Sequence, residues 1–218
     1  MKSRVLVGIT QRVDKVELYD EWRDSLDKRL IEWVVQASFV PVPIPNNLID
    51  IALPNTNNNQ SEMDHWLSSV KLDAVLLSGG NDIGDIERRD LTEKYLLSWT
   101  EKNRKPVLGI CRGMQMMGVY AGGNLIEVDG HVRVRHQLHT KSSGTQSLPK
   151  SVNSYHNLAL ENCTEVFEIL AESEDGNIEA IKHKELPWEG WMWHPEREVI
   201  FNNIDQMRLK RLVNNEKQ

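Results

Sequence analysis

Residues 107–123 read "VLGICRGMQMMGVYAGG". An apolar run, Val107 to Ile110, stops at a cysteine with Gly109 and Gly113 two positions to either side, and a helix-compatible stretch begins at once. A strand that enters a helix through so tight a turn is the repeating join of an α/β protein. The same alternation extends outward. "RVLVGIT" (4–10) reads as a buried strand closed by Gly8. "LYDEWRDSLDKRLIEWVVQA" (18–37) sets Leu18, Trp22, Leu26, Leu30 and Trp33 at spacings of three or four, which predicts one amphipathic helix. "FVPVPIP" (39–45) is extended, because each proline disfavours helix at its neighbour. "PNTNNNQ" (54–60) is a polar loop, and "SEMDHWLSSV" (61–70) a short helix with Ser61 as its cap. "DAVLLSGGND" (73–82) is a strand ending in a Gly-Gly turn, and "LTEKYLLSWTEKN" (91–103) a helix.

Strand and helix in alternation imply a mostly parallel central sheet flanked by helices, of flavodoxin-like type. The second half changes character. "HVRVRHQLHTK", "SVNSYHNL", "EVFEILAES", "NIEAIKH" and "EGWMWHPE" are short strands with turns between them, antiparallel additions to the sheet. A polar helix over 202–218 ends the chain, with Ile204, Met207, Leu209 and Leu212 near one face. No internal repeat or Gly/Ser-rich linker divides the sequence, so residues 1–218 are expected to form one domain.

Composition narrows the function. A net charge of −6 gives no nucleic-acid footprint. No apolar stretch reaches membrane-spanning length, and the five-residue apolar run near the start is too short for a signal-peptide core, so a cytoplasmic protein is expected. Two cysteines, Cys111 and Cys163, make no disulfide framework. Seven tryptophans are best explained by burial in a core.

Cys111 sits at the carboxyl edge of a parallel sheet, where α/β proteins bind ligands. Gly109-Ile110-Cys111-Arg112-Gly113 has the form of a nucleophile elbow. The following helix points its positive end at the sulfur and favours thiolate. The N–H of Arg112 is free to hold an oxyanion. In "WMWHPERE", His194 and Glu196 lie two apart, and in an extended segment they face the same way. Glu196 then orients the imidazole that takes the thiol proton. In "LSGGND", Gly79 and Gly80 close a strand predicted to neighbour the elbow strand, with the N–H of Gly80 as second oxyanion donor. Each string has a bland alternative: a buried structural thiol, a surface histidine, an ordinary turn.

Together the three strings resemble the class I glutamine amidotransferase superfamily, and more closely its stand-alone γ-glutamyl hydrolase branch of Peptidase C26 type. "GICRGMQ" matches the elbow with its downstream Gln115, "VNSYHN" the branch's Asn-Ser-x-His motif, and "GNIEAI" its substrate-side hairpin. The resemblance covers roughly residues 4 to 198. It implies Cys111 as nucleophile, His194 as base and then acid, Glu196 as orienter, and Gly80 and Arg112 as oxyanion donors. It further implies that Gln115, Asn153, Ser154, Tyr155 and His156 hold a glutamyl moiety. Met192 departs from the pattern, where the superfamily often carries Gln. The early segment "GITQ…YDEWRDSLD" resembles bacterial hydrolases of γ-glutamyl-CDP-amidate, which serve capsule and O-antigen decoration. The alternatives are hydrolysis of γ-glutamyl-γ-aminobutyrate, a non-catalytic binding module on the same fold, and the glutaminase half of an amidotransferase. Arg133 and Arg135 in "HVRVRH" share a strand face by alternation and are candidates for a diphosphate. No cofactor or metal is expected. His131, His136 and His139 are poor zinc ligands, since 136 and 139 face opposite sides of a strand and no thiolate is near. The expected partner is a small γ-glutamyl amide, not nucleic acid or membrane, and a homodimer stays open.

Overall fold

The computed structural model describes residues 4–49, 59–141 and 148–214. Its centre is an eight-stranded sheet. β1 (Leu6–Thr10) runs into a hairpin of β2 (Arg12–Val16) and β3 (Glu21–Ser25), followed by α1 (Lys28–Gln36) and β4 (Val40–Ile44). α2 (Asn59–Val70), β5 (Ala74–Leu77), α3 (Glu87–Asn103), β6 (Val107–Ile110) and α4 (Arg112–Tyr120) complete the alternating half. Then come β7 (Leu125–Glu127), β8 (Val132–Gln137), β9 (His139–Thr140), β10 (Ser151–Tyr155), β11 (Leu158–Leu160), β12 (Phe167–Glu172), β13 (Ile178–His183), β14 (Trp188–Trp191) and α5 (Asn203–Val213). The sheet order is β4-β1-β5-β6-β14-β13-β12-β9. The first five strands are parallel, and the last three join antiparallel. The expected fold class is therefore the observed one.

β5 and β6 are buried along their whole length, as parallel strands covered on both faces must be. Pro41 and Pro43 lack a donor N–H, and β4 accordingly lies at the sheet edge. Trp33, Trp188, Trp191 and Trp193 are fully buried; Trp191 stacks on Trp193 at 5.4 Å and meets Trp33 edge-on at 6.2 Å. Trp66 and Trp99 are half-buried, and Trp22 stands exposed.

Several local expectations are corrected. The stripe over 18–37 is not one helix. Asp20 takes a left-handed conformation (φ 48°) that turns the chain back, so residues 12–25 pair as a hairpin from Arg12↔Ser25 to Val16↔Glu21. Only beyond Asp27 does α1 begin; the Asp27 carboxylate accepts from Arg29 N at 2.9 Å. Leu30 and Trp33 keep the buried stripe, while Leu18 and Trp22 point to solvent. Gly8 does not close β1 but lies inside it, where a Cβ would come 2.4 Å from Leu72 Cδ1. Ser61 falls inside α2 and is not its cap. Most of the loop expected over 54–60 lies outside the described residues. Met207 is exposed on α5, so the terminal stripe rests on Leu209 and Leu212. Among the described residues no helix is long and apolar enough to cross a membrane.

Candidate active site

The three strings leave the carboxyl ends of three adjacent strands. Leu77 of β5 pairs with Gly109 of β6, and Trp191 of β14 pairs with Ile110. This register sets Gly79, Cys111 and His194 side by side. Cys111 N donates to Trp191 O at 2.7 Å. A Cβ on Gly79 would lie 2.7 Å from His194 Cε1 and 3.7 Å from Cys111 Cβ, so only glycine lets the turn approach both.

Cys111 has φ 52° and ψ −109°, the strained backbone of an elbow. The flanking glycines are required by contact: a Cβ on Gly113 would sit 2.1 Å from Leu77 O, and one on Gly109 2.6 Å from Met114 N. Cys111 is buried.

His194 Nδ1 lies 2.6 Å from Glu196 Oε1. The pair meets for a reason other than extended alternation: Pro195–Arg197 is a 3-10 turn with His194 as its N-cap. Burial opposes the charged imidazole, but the Glu196 carboxylate and Cys111 outweigh it and push the His194 pKa up to about 9. Arg29 secures the turn from α1, donating to Glu196 O at 2.9 Å and Glu198 O at 2.6 Å.

Several neighbours were not singled out from the sequence. Arg89, fully buried on α3, donates to Ser78 O (2.7 Å) and Gly79 O (3.0 Å). In a trans peptide the C=O and the following N–H point opposite ways, so gripping Gly79 O turns the Gly80 N–H away from Arg89. Glu93 joins Arg89 (3.2 Å), Thr10 (2.8 Å) and the Arg112 side chain, and Arg112 also pairs with Asp90. One buried ion network therefore ties the elbow to the Gly-Gly turn. Its sequence signal was the i,i+4 spacing of Arg89 and Glu93.

The segment expected to hold a glutamyl group is largely occupied elsewhere. Asn153 Nδ2 donates to His194 O (2.8 Å) and Glu198 Oε1 (2.8 Å), and its Oδ1 accepts from His194 N (3.0 Å). It braces the histidine. Ser154, fully buried, donates to His131 O at 2.7 Å. Tyr155 packs edge-on against His194 at 5.8 Å, with the Arg197 guanidinium 4.5 Å over its ring. His156 faces His131 with Nε2, while its Nδ1 lies 3.0 Å from Leu158 O, the carbonyl that Gln115 also reaches. Gln115 Nε2 donates to Leu158 O at 2.7 Å, and its buried Oε1 has no partner among the described residues. Met192 is buried beside it, Sδ 3.9 Å from Gln115 Nε2.

The face shared by Arg133 and Arg135 is also corrected. Arg133 has φ 57° and occupies a β-bulge where β8 meets Ser154 and Tyr155, which interrupts the alternation. Arg135 is paired with Glu198 at 2.9 Å and with Ser151 O at 3.0 Å. Two other arginines, Arg12 and Arg197, line a small cleft together with Gly79, Gly80, His194 and Glu196.

Fold and site place the molecule among glutamine amidotransferase-like α/β proteins. A glutamine amidotransferase from Thermotoga maritima superposes with a TM-score of 0.61 at 16% identity, over 98% of this chain and 84% of that one. A GMP synthase component from Thermoplasma acidophilum gives 0.70 at 18% identity, over 99% and 96%. The chain belongs to the Peptidase C26 family, whose profile matches residues 5–196. It is 30% identical over 213 residues to a gamma-glutamyl-CDP-amidate hydrolase of Campylobacter jejuni, covering 94% of this chain and 96% of that protein. It is 34% identical over 107 residues to anthranilate synthase component 2 of Azospirillum brasilense, covering 46% and 55%.

Proposed function

We propose that this chain hydrolyses a γ-glutamyl amide through a Cys111–His194–Glu196 triad, with γ-glutamyl-CDP-amidate as substrate. The observation that carries the reading is the convergence of these residues and the Gly79–Gly80 turn at the ends of three neighbouring strands. The Cys111 thiolate attacks the γ-carbonyl, and the oxyanion forms between the N–H groups of Gly80 and Arg112. Each such donor is worth roughly 2.7–4 kcal/mol of barrier. The His194 imidazolium protonates the leaving nitrogen, the C–N bond breaks, and a γ-glutamyl thioester remains. Neutral His194 then deprotonates a water that attacks the thioester. The thiolate leaves and glutamate is released. Gln115 Oε1, a buried acceptor, suits the α-ammonium of the glutamyl group.

The leaving group is assigned to the side walled by the β2–β3 hairpin. Arg12 and Arg197 at the cleft replace Arg133 and Arg135 as contacts for a diphosphate. The other face of the hairpin borders a separate cavity of about 430 Å³ that includes Val13, Trp22, Asn46 and Arg88, with the Lys15 ammonium 5.7 Å over the Trp22 ring. We place the reaction in the cytosol, supplying cytidine diphosphoramidate to surface-polysaccharide assembly. Glutaminase activity for a synthetase partner is the second reading, favoured by the likeness to anthranilate synthase component 2.

Glutamate release from γ-glutamyl-CDP-amidate, γ-glutamyl-γ-aminobutyrate and glutamine decides between them. The expected order puts the nucleotide amidate first by kcat/KM, with a γ-glutamyl adduct on Cys111 by mass spectrometry of quenched reactions. Glutamine as best substrate, or activity only with a second protein, makes the chain a glutaminase component. No release from any amide and no adduct leaves a binding module.

A further inference from the structure

The second half of the chain gathers a set of side chains that the triad does not use. His131 precedes β8, His136 lies within it, His156 follows β10, and Glu179 lies in β13. One ligating atom from each lies within 4.8 Å of all the others. His131 Nδ1 is 3.3 Å from His156 Nε2, His131 Nδ1 is 3.7 Å from Glu179 Oε1, and His156 Nε2 is 3.5 Å from the same oxygen. A tetrahedral ion with bonds of about 2.0–2.1 Å sets its ligand atoms about 3.3–3.4 Å apart, close to this triangle.

The partners of these groups argue the same way. Glu179 is fully buried in an otherwise apolar stretch of strand, and neither carboxylate oxygen has a hydrogen-bond partner among the described residues. A buried carboxylate in that state is strongly disfavoured unless a cation meets it. His136 Nε2 is likewise buried without a partner among the described residues. The far nitrogens of the other two rings are held. His131 Nε2 lies 2.8 Å from Asp175 Oδ2, with the Asn177 side-chain amide 3.2 Å from the same nitrogen, and His156 Nδ1 lies 3.0 Å from Leu158 O. A carboxylate on one ring and a carbonyl on the next fix the tautomers, leaving the lone pairs of His131 Nδ1 and His156 Nε2 aimed inward.

We infer that His131, His136, His156 and Glu179 form a binding site for one divalent transition-metal cation, zinc being the ion this donor set fits. Three imidazoles and one carboxylate suit zinc and its neighbours, whereas calcium and magnesium take oxygen shells. Four protein ligands close the coordination sphere, as in a structural site. The ion pins the β8–β10 ribbon to β13. That ribbon carries Asn153, which holds the His194 backbone, so the metal positions the catalytic histidine without touching substrate. His139, whose spacing from His136 spoke against zinc, takes no part; His156 and the lone acid of "NIEAIKH" complete the set instead.

The test uses Cys111→Ala protein, so that the thiol cannot capture the ion. The chain is stripped with a chelator, checked for native circular dichroism, and titrated with zinc chloride and with cobalt chloride. Expected are close to one zinc per chain by mass spectrometry of the metal, a rise in Tm on adding zinc, and the intense visible absorption of tetrahedral cobalt(II). Glu179→Gln and His136→Ala should each weaken zinc binding at least tenfold. Folded parent protein that takes up no zinc overturns the inference, and the cluster is then an internal proton-sharing network. Uptake unchanged by both substitutions overturns it as well. Glutamate release by the Cys111 protein is a separate readout, so this result and that of the hydrolase assay fail independently.

Discussion

Asn153→Ala separates a residue that positions His194 from one that binds substrate. The side chain makes three hydrogen bonds, two of them to the backbone N–H and C=O of His194. His194 is buried and its carbonyl keeps the N–H of Arg197 at 3.0 Å, so truncation leaves the His194 N–H unpaired, at about 1–3 kcal/mol. At about 2–4 °C per kcal/mol for a chain of this size, Tm should fall by at least about 2 °C. The imidazole would lose the brace that fixes it against Glu196 and Cys111, and a misplacement of about 1 Å costs on the order of 100-fold in rate. Initial rates of glutamate release should therefore show kcat down by roughly that factor, with KM changed little. Glu198 keeps Arg135 at 2.9 Å, so its side of the network should survive. Asn153→Asp, which loses the donor and sets two carboxylates together, should fall similarly. A tenfold rise in KM with kcat and Tm unchanged would refute the reasoning and return Asn153 to the substrate.

Cys111→Ala should reduce glutamate release to background and remove the acyl adduct while Tm stays near the parent value; appreciable turnover by a clean preparation would dismiss the nucleophile. Glu196→Gln should move the alkaline limb of the kcat/KM profile downward. The parent limb is expected near the His194 value of about 9, because the leaving nitrogen needs the imidazolium, and Glu196 is a main cause of that elevation. The same raised group stabilises the fold fully below its ordinary value of 6.5, and the contribution fades as pH rises through about 9. Asp205 acts with the same sign in a lower window: burial pushes its carboxyl up to about 7, so the fold favours the neutral acid and loses stability as pH rises from 3.8 through 7. Asp205→Asn should remove that dependence, recovering on the order of 4 kcal/mol above pH 7 in urea unfolding; an unchanged slope with pH would show that Asp205 is ionised in the fold.

The parts legible in the sequence were those with local backbone demands. Gly109 and Gly113 announce the elbow because a Cβ at either meets backbone within 2.6 Å. Gly79 announces its turn for a similar reason. Periodicity failed where tertiary structure overrode it: Leu18 and Trp22 have helical spacing with Leu26 and Leu30, yet the left-handed turn at Asp20 folds them into a hairpin. His194 and Glu196 were correctly paired by a wrong geometry, since Pro195 opens a 3-10 turn. The roles of Asn153 and His156 were not legible, because their partners lie far along the chain, at His194 and His131. Glu179 did carry a signal, a lone acid inside "IEAI" that a buried strand must neutralise.

The ion network behind the elbow shows why a buried charge cluster persists at this site. Arg89, Glu93, Arg112 and Asp90 are all buried, and buried ion pairs contribute little net stability because desolvation offsets their attraction. Burial pulls the Arg89 guanidinium below its usual range, against the pull of Glu93. An apolar quartet of equal volume would fill the same space, but it could not grip Gly79 O or Ser78 O. The Gly79–Gly80 peptide would then be free to rotate, and the Gly80 N–H would have no fixed direction. An oxyanion donor stabilises a transition state only when its orientation is set beforehand. On the proposed mechanism the network would act on the rate of the reaction more than on the stability of the fold. A conservative Arg89→Lys change, which keeps the charge but not the planar guanidinium whose Nη2 holds Ser78 O and Gly79 O while Nε and Nη1 hold Glu93 and Asn81, should lower kcat with less effect on Tm. Equal losses in both, with KM unchanged, would mean the network is structural and the donors are oriented by the strand ends alone.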